Sequence, residues 1–247
     1  MAVRFVAVGE LLVDVIAAGA GHGADIRVRP AGSAFNAAVA ATVAGADATV
    51  LGTVGDDAAG RMILTELTDR GVRAEVTIAP GTTGTFLLVD GEVRVDRGVG
   101  HDLVLPDRID ADAVLVSGHV PAAGAVLERA DAAWVALDAA RLSHLPPGGN
   151  AVVANEEAAH RLTGRTAGDA VPALAEGRRL ACVTLGARGA IASLDGSIEH
   201  VEPEAVAADA PGSGDAFAAT LLVALAQGDG LAGALASGAR AALDSLA

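Results

Sequence analysis

The sequence contains no lysine and no tyrosine, and only 2% of its 247 residues are aromatic. Surfaces that stack nucleic-acid bases are therefore not expected. The formal net charge of -14 points the same way, because it would repel a polyanion. The single cysteine, Cys182, cannot form a disulfide within the chain and lies in an apolar run. These features predict a cytoplasmic protein without nucleic-acid partners.

Several common motifs are also missing. Gly9 is followed by Glu10 and Leu11, so the Gly-x-Gly-x-x-Gly fingerprint of dinucleotide enzymes is absent after the first predicted strand. A phosphate-binding loop with its lysine is absent too, and phosphate chemistry would depend on backbone N–H groups, arginine and a metal ion. The six histidines are scattered and lack the spacing of a zinc site. No apolar run is long enough to cross a bilayer, and no membrane partner is expected.

The sequence that is present predicts one α/β domain spanning residues 1–247. From residue 113 onward, short apolar strands alternate with helical patterns, which favours a mostly parallel sheet with helices on both faces, a three-layer αβα sandwich. Ligands of such sheets bind beyond the carboxyl ends of the strands. The residues expected at that edge are Asp14, Gly32, His119, Asp138, Asn155, Gly186 and Gly214.

The pattern changes between residues 76 and 100. Two short strands, 85–89 and 91–97, flank Asp90-Gly91, a strong hairpin signal. With residues 11–30, this segment is predicted to form a small β flap beside the main sheet. Two roles are open for the flap: it closes over a substrate as a lid, or its exposed edges pair with a second subunit as a homodimer.

A stretch near the C-terminal end has the pattern of an anion-binding helix start. Gly212, Ser213 and Gly214 precede a long apolar helical run, residues 216–226. The first N–H groups of a helix have no partner within it and can cradle an anion. Asp215, in the first turn, would stay ionised there and could take a proton from an attacking hydroxyl. The alternative is an ordinary turn followed by a helix cap.

Two further loops have a structural and a functional interpretation. Asn155-Glu156-Glu157 opens a helix, where acidic residues either complement the helix dipole or form a site for hydrated magnesium. Residues 184–189, Thr-Leu-Gly-Ala-Arg-Gly, end a strand in a tight turn. The glycines there serve the turn alone or let a nucleotide approach the backbone closely.

Together, these motifs and their order resemble the ribokinase-like (PfkB) family of carbohydrate kinases along nearly the whole chain. Residues 209–217, Asp-Ala-Pro-Gly-Ser-Gly-Asp-Ala-Phe, are similar to the C-terminal signature of the family. Residues 9–14 resemble its first strand, and residues 31–36 resemble its N-terminal glycine signature. The resemblance implies a ribokinase-like fold and in-line transfer of the ATP γ-phosphoryl group to a hydroxyl of a small sugar.

By the same resemblance, Asp215 is the base, and the N–H groups of Gly212, Ser213 and Gly214 form the anion hole. The residues implied in substrate binding are Asp14, Gly32, Ser33 and Asn36, and those implied in nucleotide binding are Asn155, Thr184, Gly186 and Gly189. The acidic loop of the family is usually Asn-x-x-Glu, whereas Ala158 stands at its last position here. Glu156 or Glu157 is then expected to hold Mg²⁺ through a water, with Glu157 assigned to that role, and Asp209 is expected to form part of a monovalent-cation site.

Two alternatives remain open. The first is a nucleoside kinase of the same fold, against which the low aromatic content argues mildly because purine pockets usually stack rings. The second is a catalytically degenerate sensor that binds a sugar or nucleotide, for which Ala158 and the short C-terminus argue. The intact segment from Gly212 to Asp215 favours catalysis.

Overall fold

The computed structural model describes residues 1–19, 21–121, 123–202 and 211–244. Its strands are β1 (Arg4–Val8), β2 (Leu12–Ala18), β3 (Asp25–Ala31), β4 (Asp47–Gly55), β5 (Arg73–Ala79), β6 (Thr83–Val89), β7 (Glu92–Gly98), β8 (Ile109–Asp110), β9 (Ala113–Ser117), β10 (Ala130–Asp131), β11 (Trp134–Asp138), β12 (Ala151–Asn155), β13 (Leu180–Thr184), β14 (Ala190–Leu194) and β15 (Ser197–Val201). Its helices are α1 (Ser33–Val43), α2 (Ala58–Asp69), α3 (Ala123–Arg129), α4 (Glu156–Thr163), α5 (Ala167–Leu174), α6 (Ser213–Gln227) and α7 (Leu231–Asp244).

The larger sheet has nine strands in the order β15-β14-β13-β12-β11-β9-β1-β4-β5. The seven strands from β13 to β5 are parallel, and the β14–β15 hairpin adds an antiparallel edge. Apart from the exposed edge strand β5, the parallel strands are rich in Val and Ala and almost fully buried, because helices cover both faces. The prediction of an αβα sandwich with a mostly parallel sheet is confirmed.

The helices divide between the two faces according to their apolar residues. Side chains of α1, α2, α6 and α7 share one core with Phe5 and Val50 of the sheet. Side chains of α3 pack with Val6 and Val114, and those of α4 and α5 pack with Val152 on the same opposite face. Among the helices in the described residues, none is both long and apolar enough to span a bilayer.

Helix α6 lies inside its layer. Residues 216–225 are all buried, and the helix contacts α1, α7, β9 and β11. A helix covered on every side has apolar residues all around rather than along one stripe. This explains why residues 216–226 are apolar except for the buried Thr220, and it fixes the start of the helix against the sheet.

A second sheet, which we call the flap sheet, has four strands in the order β3-β2-β6-β7. Its strands lie within residues 12–31 and 83–98, inside or close to the segments predicted as lid elements, whereas residues 73–79 belong to the larger sheet as β5. Several large apolar side chains of this sheet are exposed: Ile26, Val28, Val93 and Val95. Its function as a lid stays a prediction.

Asp57 joins the two sheets. Its carboxylate accepts hydrogen bonds from the N–H of Gly60 at 2.8 Å, from the N–H of Thr83 at 2.8 Å and from Oγ1 of Thr83 at 2.7 Å. Burial by itself would raise the pKa of Asp57, but these donors outweigh it and lower the pKa. The start of β6 is therefore fastened to the N-terminus of α2.

Candidate functional site

The carboxyl ends of the parallel strands bring the predicted residues to one edge of the larger sheet. Ser117 at the end of β9 pairs in register with Asp138 at the end of β11. Asn155 at the end of β12 pairs with Thr184 at the end of β13. The sheet alone therefore orders these four side chains along the edge.

Helix α6 opens toward this edge. Gly212 precedes the helix with φ 94°, and a Cβ there would lie 2.7 Å from Nδ2 of Asn36, so both the backbone and the packing require glycine. The N–H of Ala216 bonds to the carbonyl of Gly212. No other described residue accepts a hydrogen bond from the N–H groups of Gly212, Ser213 or Gly214. These donors can therefore receive an anion.

The Asp215 carboxylate accepts a hydrogen bond from Nδ2 of Asn36 at 2.9 Å. Burial, and then the negative charges of Asp138 and Asp14, raise the pKa of Asp215 to about 8, against the lowering effect of the Asn36 bond. Burial also raises the pKa of Asp138 to about 6. The expectation that the helix start keeps Asp215 ionised was wrong, because burial and the neighbouring carboxylates raise its pKa above neutrality. A carboxyl group with a pKa near neutrality is suited to exchange protons at physiological pH.

Asp14 and Arg29 face each other across the β2–β3 pair. Asp14 is 4% exposed, and Nε and Nη2 of Arg29 each lie 3.4 Å from its Oδ2. Burial raises the pKa of Asp14, and the Arg29 guanidinium opposes that rise. The remaining oxygen of Asp14 can accept a hydrogen bond from a substrate hydroxyl.

The start of α1 packs against the loop after β1. Gly32 has φ 107°, and a Cβ there would lie 2.3 Å from the Glu10 carbonyl oxygen. Glycine is therefore required at this position. The next residue, Ser33, has a buried Oγ without a hydrogen-bond partner among the described residues. The start of α1 therefore places the tightly packed backbone of Gly32 directly before the unpaired hydroxyl of Ser33.

Sequence reasoning missed a buried charge at this edge. Glu10 is 5% exposed and forms an ion pair with Arg97 of β7. Its other oxygen lies 3.7 Å from Nδ1 of His119. Burial, with the charges of Arg97 and Arg141, lowers the pKa of His119 to about 4, so the imidazole is neutral at pH 7. The signal available in the sequence was a glutamate directly after an apolar strand, and its partner on a distant flap strand could not be read from the sequence.

We call Glu10, Asp14, Ser33, Asn36 and Asp215 the inner cluster. The segments 155–157 and 184–189 are called the outer loops. The side chain of Asn155 caps α4, since its Oδ1 accepts the N–H of Ala158 at 2.8 Å. Glu157 bonds to Arg161 at 3.1 Å, and Glu156 bonds to Arg188 at 2.6 Å.

The outer loops adjoin a cavity of about 530 Å³. It is lined by Glu156, Thr166, Ala167, Gly168, Leu185, Arg188, Ile191 and His200. The turn beside it is closed by a hydrogen bond from the N–H of Leu185 to the carbonyl of Gly189, and Gly186 and Gly189 have φ 57° and 86°. A second cavity, of about 1070 Å³, lies between α1, α2, α6 and α7 and reaches Asn36 and Gly212 at one end.

Few side chains in the described residues are placed to bind a metal ion. The described part of the chain has no group of three or more His, Cys, Asp or Glu side chains placed to hold a metal ion. Glu157 is exposed and could supply one carboxylate to hydrated magnesium, which keeps several of its waters. Asp209, predicted to contribute to a monovalent-cation site, lies outside the described residues.

These features define the class: an α/β sandwich whose sheet has, at its carboxyl edge, a helix start with N–H donors and a partly buried carboxylate on the same helix turn. The chain belongs to the pfkB family of carbohydrate kinases, whose profile matches residues 3–103 and 104–243. The family resemblance inferred from the motifs is thereby confirmed.

Individual relatives agree with this assignment. The chain is 33% identical over 144 residues to a 2-dehydro-3-deoxygluconokinase of Thermoproteus tenax, an alignment that covers 53% of this chain and 44% of that protein. The match therefore spans less than half of this curated relative. A ribokinase of Arabidopsis thaliana, solved with ribose and ATP, shares the fold with a TM-score of 0.80 and 22% identity, covering 98% of this chain and 92% of that one. An adenosine kinase from Sinorhizobium meliloti superposes with a TM-score of 0.82 and 18% identity over 98% and 93% of the two chains.

Proposed function

We propose that this protein is an ATP-dependent sugar kinase that transfers the γ-phosphoryl group to a hydroxyl of a small carbohydrate. The observation that carries the proposal is the joint position of Asp215 and the N–H groups at the start of α6, which have no acceptor among the described residues. A proton acceptor and an anion site on the same helix turn are what phosphoryl transfer to an alcohol requires.

In this proposal, Asp215 removes the proton of the acceptor hydroxyl as its oxygen attacks the γ-phosphorus. The N–H groups of Gly212, Ser213 and Gly214 hold the negative charge of the transferring group. Asp14, Gly32, Ser33 and Asn36 bind and orient the sugar. Orientation and charge stabilisation dominate because the loose transition state needs little covalent help from the protein.

The outer loops would bind the nucleotide. Thr184, Gly186 and Gly189 belong to a tight turn whose residues Leu185 and Arg188 line the 530 Å³ cavity. Asn155 caps the start of α4 beside it. Since the sequence has no lysine, arginine and backbone N–H groups must hold the phosphates. Glu157 would hold Mg²⁺ through a water; the ion, when bound, neutralises charge on the phosphate oxygens. The Asp209 cation site and a cytoplasmic location stay predictions.

The flap sheet supports a second part of the proposal, a homodimer through the lid. Ile26, Val28, Val93 and Val95 are 60%, 55%, 52% and 41% exposed. Ile26 and Val28 lie on the edge strand β3, and Val93 and Val95 lie on the opposite edge strand β7, on the other face of the sheet. An edge strand with exposed apolar side chains offers unpaired backbone groups with which another subunit can pair. Measuring the molar mass in solution for the wild type and for Val93→Asp tests this pairing, and a monomeric wild type contradicts it.

The test of the activity is ATP consumption in magnesium with a panel of acceptors. The panel contains 2-dehydro-3-deoxygluconate, ribose and fructose, with adenosine for the nucleoside alternative. Asp215→Asn should bind acceptor and nucleotide but turn over on the order of 10²- to 10⁴-fold more slowly. Asp229→Asn, an exposed change at the far end of α6, serves as the control. Acceptor binding without turnover in the wild type would favour the sensor instead.

A further inference from the structure

A small cavity adjoins the Asp215 carboxylate. Its volume is about 10 Å³, and its polar lining consists of Ser33, Ser117, Asp138 and Asp215. A space of roughly this size is the smallest that admits one water molecule, and a buried water needs two to four polar partners. The cavity offers two hydroxyls and two carboxyls, so it meets both conditions.

The hydroxyls of the lining have hydrogen-bonding capacity to spare. Ser33 Oγ is buried and has no partner among the described residues. Ser117 Oγ accepts the N–H of His119 at 3.2 Å, which leaves the Ser117 hydroxyl proton free to donate. Buried hydroxyls in folded proteins are ordinarily hydrogen-bonded. A water in the cavity would satisfy both side chains.

We propose that this cavity binds one water that bridges Asp215 and Asp138, and that Asp138 is the exit for the proton that Asp215 takes from the acceptor hydroxyl. The inference deepens the proposed function and rests on it. Asp138 suits this position because its side chain is half-buried at the end of β11, and its carboxylate accepts only the N–H of Ala140 among the described residues, at 3.0 Å.

The relay balances atoms and charge. The substrate O–H bond breaks and an O–H bond forms on Asp215, while the substrate oxygen bonds to the γ-phosphorus and the bond from phosphorus to the ADP oxygen breaks. The bridging water then accepts the proton of Asp215 and gives one of its own protons to Asp138. The water is unchanged, Asp215 is ionised again, and Asp138 releases the proton to solvent.

The surrounding charges make this exit useful. The groups that act on Asp215 are Asp138 of β11, Asp14 of β2 and the amide of Asn36 in α1. Asp215, with a pKa of about 8, holds a proton more tightly than Asp138, with a pKa of about 6. Asp215 must therefore lose a proton in every cycle, and Asp138 is the neighbouring carboxylate that is ionised at pH 7. The two groups titrate as a coupled pair.

The first experiment needs no activity. Carbon-13 NMR of the aspartate carboxyls follows the titration of the wild type, Asp138→Asn and the exposed control Asp229→Asn. The pKa of Asp215 should fall by at least one unit in Asp138→Asn, because a neighbouring negative charge is lost, and should not move in the control. An unchanged pKa of Asp215 in Asp138→Asn overturns the pairing, whether or not the protein proves to be a kinase.

The second experiment tests the water. Ala37 of α1 also lines the cavity, and Ala37→Val fills the space without changing a charge. Single-turnover phosphoryl transfer should slow at least tenfold in Ala37→Val, and its rate in mixtures of H₂O and D₂O should change from a curved to a linear dependence. Ala37→Gly, which keeps the space open, should retain the curved dependence.

A wild-type rate and a curved dependence in Ala37→Val overturn the relay. If Ala37→Val does not fold, Ser117→Ala removes one partner of the water and must reduce the curvature; failure to do so also overturns the relay. Absence of any turnover in the wild type would instead count against the proposed function, and the NMR titration still decides the pairing.

Discussion

The carboxylates of the inner cluster are held by specific partners inside the protein, whereas those of the outer loops face solvent. Glu10 and Asp14 are 5% and 4% exposed, and each meets an arginine of the flap sheet. The side chains of Glu156 and Glu157 are 49% and 85% exposed. A buried charge depends on its partner, whereas an exposed ion pair contributes little because water solvates both of its members.

This difference predicts in which region the effects of two substitutions will depend on each other. In the inner cluster, changes at Asp14 and Asn36 alter the pKa of Asp215, as does a change at the neighbouring Asp138. In the outer loops, Glu156 and Glu157 pair with different arginines, Arg188 and Arg161, so the effects of substituting these two glutamates should be nearly additive. The contrast between a coupled and an uncoupled region is what the following substitutions test.

The largest effect is expected from Gly32→Ala. A Cβ at this position would lie 2.3 Å from the Glu10 carbonyl oxygen, and the backbone has φ 107°. We expect a loss of at least about 3 kcal/mol in the free energy of unfolding, since the clash adds to roughly 1–3 kcal/mol of backbone strain. Chemical denaturation measures it.

Gly45→Ala is the matched control for Gly32→Ala. Gly45 also has a positive φ, 88°, but no atom lies within 4 Å of an added Cβ. It should show only the strain, about 1 kcal/mol, with activity intact. Equal losses in the two variants would contradict the close packing of α1 against the loop after β1.

The second effect concerns Asp215 and stability. Its pKa is raised from 3.8 to about 8 in the folded protein, so the folded state holds the proton more tightly than the unfolded state. The bound proton on Asp215 therefore contributes to the free energy of unfolding. This contribution is complete below pH 4 and is lost as pH rises from about 4 to 8. Asp215→Asn should therefore be more stable than the wild type at pH 8, by about 1–3 kcal/mol after allowance for partial exposure, and equal at pH 4.

Thermal unfolding of both proteins at pH 4, 6 and 8 checks this. The gap in Tm should open steadily with pH, while activity is lost at every pH. A constant gap, or a wild type that is the more stable at pH 8, would show that Asp215 is not held in a proton-retaining environment.

The sequence predicts the two regions unequally for a physical reason. The helix after Gly212, the sheet edge and the hairpin of the flap follow from local patterns, although α6 begins at Ser213, three residues before the predicted apolar run. The Asn36–Asp215 bond joins residues 179 positions apart, and the pairing of Glu10 with Arg97 joins a core loop to a flap strand. Local patterns contain no information on such contacts, which only the folded chain brings together.

In the outer loops, the local sequence pattern is informative but fits two interpretations. Asn155 was predicted from its position after a strand, and the structure shows that its side chain also caps α4. An N-cap and a ligand contact use the same residue type at the same helix position, because both exploit unpaired N–H groups. The sequence alone cannot separate them.

The third substitution, Asn36→Ala, removes the hydrogen bond that lowers the pKa of Asp215. The pKa should rise further, and the acidic limb of kcat/KM against pH should move upward by up to about one unit, a loss of roughly tenfold at pH 7. Gln227→Ala, an exposed amide at the far end of α6, is the control and should leave the limb in place. A lower rate without any movement of the limb would assign Asn36 to sugar binding alone.

The smallest effect on stability belongs to the two neighbouring glutamates, Glu156→Gln and Glu157→Gln. Each carboxylate is in an exposed pair with an arginine, so either change should alter the free energy of unfolding by less than about 0.5 kcal/mol. If Glu157 holds a magnesium water, only Glu157→Gln should raise the magnesium concentration needed for half-maximal rate, by several-fold, with the KM of the sugar unchanged. Titrating magnesium at saturating ATP separates the two variants. Identical magnesium requirements in both variants would show that Glu157 does not hold the magnesium water. A change in the sugar KM would show that the outer loops are coupled to the inner cluster.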